Sequence, residues 1–82
     1  MKPITIYTTT YCPYCVKAKQ LLAGNGFAFT EVDVTEDPAA RAWLVATTGR
    51  RTVPQLFVDQ QSIGGCDDLE ALIKRGAHEA WR

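Results

Sequence analysis

Long hydrophobic runs are missing from this chain, and no segment approaches the roughly 20 apolar residues that a membrane-spanning helix needs. Surplus charge is missing too. Nine lysines and arginines balance nine aspartates and glutamates, so there is no basic footprint of the kind that nucleic acid or an anionic membrane requires. Low-complexity tracts, internal repeats and linker-like stretches are also absent, and the 82 residues suit a single domain over 1–82. No secretory signal is evident, because Met1-Lys2-Pro3 leads directly into ITIYT. Cysteine is scarce: three residues cannot build the multi-disulfide framework of a small secreted domain. A reducing cytoplasm is the expected compartment, and a monomer the expected state.

What the chain does contain alternates strand-like and helix-like stretches. Residues 3–8, PITIYT, are β-branched and aromatic and read as a strand. From Cys12 to Ala23 the positions Cys15, Ala18, Leu21 and Leu22 keep a helical period, with Pro13 suited to the first turn and Gly24-Asn25-Gly26 as a stop. FAFTEVDV, residues 27–34, reads as a second strand whose alternation slips phase between Phe29 and Val32. Asp37-Pro38 opens a second helix that ends near Gly49. VPQLFV, residues 53–58, is a third strand, Asp59-Gln60 a turn, and Ser62-Ile63 the centre of a short fourth strand. A last helix runs from about Cys66 to Gly76, with Leu69, Leu72 and Ile73 on one face. The order β-α-β-α-β-β-α implies an α/β domain with a four-stranded mixed sheet and three helices, the core of a thioredoxin-like fold.

Within TTTYCPYCVKAK, residues 8–19, Cys12 and Cys15 stand three apart. Such a pair can clamp a metal, form a structural disulfide or carry redox chemistry. A structural zinc site takes four ligands, and only Cys66 and His78 remain, at no ligand spacing. A Cys12–Cys15 bridge would close a very small loop and constrain little of the unfolded chain. Redox chemistry fits better. Cys12 falls at the N-cap or first position of a helix, where free N–H groups and the positive dipole end favour a thiolate. Thiolates are the nucleophiles of exchange, and Cys15, nearly one turn further in, suits the resolving role. His78, near the end of the last helix, reads as a solvated helix-end residue rather than a catalytic one.

YCPYC after ITIYT, then TVPQLFV, then IGGCDDL resembles the glutaredoxins, specifically the dithiol class with a Cys-Pro-Tyr-Cys centre. The likeness covers nearly the whole chain in the right order. It implies a glutathione-dependent thiol–disulfide oxidoreductase that maintains cell redox homeostasis and donates electrons to acceptors such as ribonucleotide reductase. Cys12 alone would reduce glutathione mixed disulfides, and Cys12 with Cys15 would reduce protein disulfides through a redox-active Cys12–Cys15 bridge. Glutathione would be a co-substrate, with no permanently bound cofactor and no metal. The partners implied are glutathionylated or disulfide-bonded proteins.

The same resemblance implies a set of glutathione contacts. Val53 would offer its backbone to the cysteine portion of the ligand, beside a cis Val53-Pro54 bond, with Arg51 and Thr52 adjoining. Gly65, Cys66, Asp67 and Asp68 would open a helix whose N–H groups hold the γ-glutamyl carboxylate, with Asp68 on the ammonium. Without the resemblance, the two aspartates would simply suit a helix dipole. Tyr14 would flank the groove, and Cys66 would act through its backbone more than its sulfur. Many glutaredoxins carry a cation three residues before the first cysteine; here that residue is Thr9, and Arg50 or Arg51 is the expected replacement. Two rival functions stand beside this one. One is a redoxin fed by thioredoxin reductase, which the Gly65–Asp68 stretch disfavours. The other is a scaffold for a 2Fe–2S cluster shared between two chains through Cys12 and two glutathiones; such scaffolds mostly carry serine or glycine where Pro13 stands.

Overall fold

The computed structural model describes residues 1–82. The elements follow in the order β1 (Ile4–Thr8), α1 (Pro13–Gly24), β2 (Thr30–Asp33), α2 (Pro38–Thr48), β3 (Gln55–Val58), β4 (Gln61–Gly64) and α3 (Cys66–Lys74), then a short 3₁₀ helix at Ala77–Trp81. The sheet order is β2-β1-β3-β4. β1 pairs parallel with β2 and antiparallel with β3, and β4 closes an antiparallel hairpin with β3. This is the thioredoxin-like arrangement, with three helices on a four-stranded mixed sheet. No helix is long and apolar enough to cross a membrane.

Local chemistry accounts for most boundaries. The Asp37 carboxylate accepts the Ala40 N–H at 3.0 Å and caps α2, while Pro38 fills a first-turn position where no N–H is needed. α2 stops at Gly49, whose φ of 74° is left-handed and suits a residue without Cβ. Asp59 and Gln60, at φ 52° and 67°, form the two-residue turn that matches the twist of the β3–β4 hairpin.

The period-2 alternation of the strands sorts the core into two layers. Ile4, Ile6, Leu56 and Val58 pack with Ala18 and Leu22 of α1 and Leu69 of α3. On the other face Phe57 packs with Leu44 of α2 and Val34, flanked by Tyr7 and Val53. All four residues of β3 are therefore buried, as a central strand covered on both faces requires.

Three features depart from the sequence reading. The second strand is shorter than 27–34, because Phe27 leaves the sheet and seals the core against Trp81, centroid to centroid 5.7 Å, beneath the Arg82 guanidinium. The phase slip marks that exit. The third strand starts at Gln55 rather than Val53: the Val53 carbonyl faces the Cys12 sulfur instead of a neighbouring strand, and Pro54 has no N–H to pair; the Val53-Pro54 peptide is cis. The last helix ends at Lys74, and the chain then turns at Gly76 into the 3₁₀ helix. His78 lies there and is buried against the Phe27 ring, not solvated. It has no part in the cysteine site.

A strand running 27–34 would put Phe27 and Phe29 on one face with equal weight. The fold instead predicts that Phe27→Ala lowers stability by about 3–5 kcal/mol and Phe29→Ala by clearly less, since only the first is fully buried. Urea unfolding followed by circular dichroism checks this; equal losses contradict the packing.

Candidate active site

β1 ends at Thr8 and the chain reaches α1 through Cys12, which is the N-cap residue. The Cys12 backbone is extended, at φ −138° and ψ 99°, and its Sγ accepts the Cys15 N–H at 3.2 Å. A sulfur thus does what a serine or aspartate oxygen does at an ordinary N-cap. It also lies 3.6 Å from the Val53 carbonyl oxygen, which the thiol can donate to. Negative charge is favoured at a helix N-terminus.

Cys15 faces inward. It is 2% exposed, and burial pushes its thiol up to about 12, with a contact to the Cys12 side chain adding to the rise. The two thiols are therefore unequal: one caps a helix beside a groove, the other keeps its proton behind it.

The groove has a volume of about 250 Å³. Tyr14 of α1 lines one side, Arg50, Thr52, Val53 and Pro54 of the α2–β3 connection another, and Gly65, Cys66, Asp67 and Asp68 of the α3 start the third. Val53 joins the groove to Cys12 through its carbonyl. The α3 start comes very close: a Cβ on Gly65 would stand 3.2 Å from the Pro54 carbonyl oxygen. Gly64 is constrained twice, by its φ of 102° and because the Asp68 carboxylate fills the space a Cβ would take. That carboxylate accepts the Gly65 N–H at 2.9 Å and Arg50 Nη1 at 2.9 Å. The Gly65 N–H first, and then Arg50, hold it below the usual carboxylate range. Cys66 and Asp67 begin α3, so an α-helix leaves their N–H groups without internal partners at the groove wall. The Cys66 sulfur turns inward instead, near Glu70 at 3.8 Å, and burial raises its thiol.

Cys12, Tyr14, Thr52, Val53, Pro54 and the Gly65–Asp68 stretch thus meet at one end of the sheet. Arg51 does not join them; it lines an adjoining hollow of about 400 Å³ with Arg41, Arg50, Leu44, Val45 and Gln55. Arg50 borders both spaces. Arg41 and Arg51 take part in none of the ion pairs of the chain. Arg41 is a cation beside the site that the sequence reading did not single out. Its signal was its spacing, one turn before the core residue Leu44 on the α2 face that packs toward the sheet. Positive charge therefore reaches the groove from the α2–β3 side, while Lys17 and Lys19 of α1 are engaged by Glu70 and Glu31.

Comparison with known proteins fits this geometry. The family model described as Glutaredoxin matches residues 4–63. A glutaredoxin of Pseudomonas aeruginosa is 46% identical over 80 residues, covering 98% of this chain and 95% of that protein. Glutaredoxin 3 of Escherichia coli is 49% identical over 76 residues, 93% of this chain and 92% of that one. Among solved structures, the solution structure of a Brucella melitensis glutaredoxin superposes with a TM-score of 0.88 at 44% identity, covering 98% and 87% of the two chains. The crystal structure of a buckwheat glutaredoxin–glutathione complex gives 0.91 at 30% identity, covering 98% and 76%.

The buried position of Cys15 has a measurable consequence. In a Cys12→Ser protein, iodoacetamide should alkylate Cys15 slowly at neutral pH, with the rate climbing about tenfold per pH unit well past pH 9. A plateau below pH 9 contradicts the arrangement. The linked stability has the same sign: the folded thiol keeps its proton above the unfolded pKa of about 8.5. Its contribution is complete below that pH and is lost as pH rises toward about 12.

Proposed function

Since this chain belongs to the glutaredoxin family of thiol–disulfide oxidoreductases, we propose that glutathione is its reductant and that it resolves glutathione mixed disulfides and protein disulfides in a reducing cytoplasm. The observation that carries this reading is the placement of Cys12, a helix-capping sulfur at the Val53 edge of a groove lined by Tyr14, Thr52–Pro54, Arg50 and the α3 start. Glutathione is an extended tripeptide with a carboxylate at each end and an ammonium at one. Its cysteine portion lies along Val53, whose backbone offers a free strand-like edge beside Thr52 and Pro54. The γ-glutamyl carboxylate meets the first N–H groups of α3 at Cys66 and Asp67, and the ammonium meets Asp68. Tyr14 flanks the bound peptide. The glycine carboxylate reaches the hollow where Arg41 and Arg51 stand unpaired, which supplies from α2 and its loop the cation that Thr9 does not.

The chemistry then runs in two balanced steps. The Cys12 thiolate attacks the glutathione sulfur of a mixed disulfide; the S–S bond breaks, and the other thiol leaves as a thiolate that takes up a proton. A second glutathione thiolate attacks the glutathionylated Cys12, releasing glutathione disulfide and restoring the Cys12 thiolate. With a protein disulfide, the Cys15 thiol loses its proton and displaces the substrate from Cys12, and two glutathiones later reopen the Cys12–Cys15 bridge. A ribonucleotide reductase disulfide is one acceptor that this second route would serve.

Two measurements test the reading. Oxidised protein should be re-reduced by glutathione and not by NADPH with thioredoxin reductase; the reverse preference refutes it. Cys12→Ser should abolish all exchange, whereas Cys15→Ser should keep turnover of glutathione mixed disulfides and lose disulfide reduction. Equal inactivity of both variants toward a glutathione mixed disulfide would show that the roles are misassigned.

A further inference from the structure

Arg50 reaches across the groove. Its main chain is held at two points, by its own N–H to Thr48 Oγ1 at 3.1 Å and by its carbonyl accepting Gln55 Nε2 at 2.9 Å. From that fixed base the guanidinium meets Asp68 on the opposite wall at 2.9 Å. Asp68 is equally constrained: the Gly65 N–H binds its carboxylate, and the bare Cα of Gly64 leaves room for it. The side chains are 53% and 43% exposed, so the pair belongs to the weak, solvent-screened class that a competing ion can displace.

Resting on the glutathione reading above, we propose that Arg50 is an internal stand-in for the ligand's ammonium and thereby sets how strongly the site selects a free α-amino group. In the free protein the Asp68 charge is already matched by the guanidinium. An incoming ammonium must therefore exchange with Arg50 or share the carboxylate against like-charge repulsion. It gains less than it would from an unpaired aspartate. A ligand without the amino group leaves the Arg50–Asp68 pair in place and loses correspondingly little. Arg50 is thus a specificity-determining residue acting through Asp68, distinct from the carboxylate cations Arg41 and Arg51.

The test compares kcat/KM for two mixed disulfides of one small thiol. One is made with glutathione, the other with glutaryl-cysteinylglycine, which is glutathione without its α-amino group. Both retain the two carboxylates, so their ratio reports the ammonium alone. Arg50→Gln should raise the preference for glutathione about two- to fivefold, and Arg50→Lys should restore most of the native ratio. Asp68→Asn should bring the ratio near unity, and adding Arg50→Gln to it should change nothing further. The main-chain bonds of Arg50 do not use its side chain, so the variant folds, and circular dichroism checks that. An unchanged or lowered ratio in Arg50→Gln overturns the proposal while the glutathione reading stands. Absence of turnover for both disulfides with the unmodified protein overturns the glutathione reading and this proposal with it.

Discussion

Tyr7 pairs with Gln55 and Leu56 with Gly64, and from these two registers the position of every site segment follows. β3 runs antiparallel to both β1 and β4, so the C-terminal ends of β1 and β4 meet its N-terminal end at one end of the sheet. Cys12 follows β1, Val53 and Pro54 precede β3, and Gly65–Asp68 follow β4. The hydrophobic alternation enforces the pairing. A slip of one residue would exchange Ile6 and Leu56 for Tyr7 and Phe57 on the face that packs against α1 and α3. The site is in this sense a product of the core.

Two chemically identical thiols acquire different surroundings from a difference of three positions along the chain. Cys12 lies outside the helical backbone, where an N–H points at its sulfur. Cys15 lies inside it, turned to the core side and shut off from water. Pro13 fits between them without forfeiting a hydrogen bond, because the N–H it lacks would have had no partner in the helix. The two sulfurs therefore sit in unequal surroundings, one at the helix end and one in the interior.

The chain as a whole is neutral, and its charge is nonetheless sharply arranged at the groove. The α3 start contributes backbone N–H groups and the aspartates, and the α2–β3 side contributes arginines. Donor groups and charges of both signs thus line one surface. Net charge carries no trace of this.

How much of this could be read before the fold was known depends on the range of the forces involved. The N-cap at Cys12, the Asp37-Pro38 helix start, the stop at Gly49 and the Asp59-Gln60 turn were all legible, because caps and turns are decided by atoms within about one helical turn of chain. The β-α-β-α-β-β-α order was legible for the same reason: hydrophobic period is a local property. The sealing position of Phe27, the burial of His78, the placement of Arg50 at the groove and of Arg51 in the adjoining hollow, and the presence of Arg41 beside them were not. Each depends on which distant element arrives next to the residue: the 3₁₀ helix over Phe27, the α3 start across from Arg50, α2 against the α2–β3 loop. Local sequence placed Cys12 at a helix N-cap and Cys15 one turn further in, whereas only the tertiary packing buried Cys15 and decided which charges line the groove, because burial and electrostatic partners are chosen by distance in space.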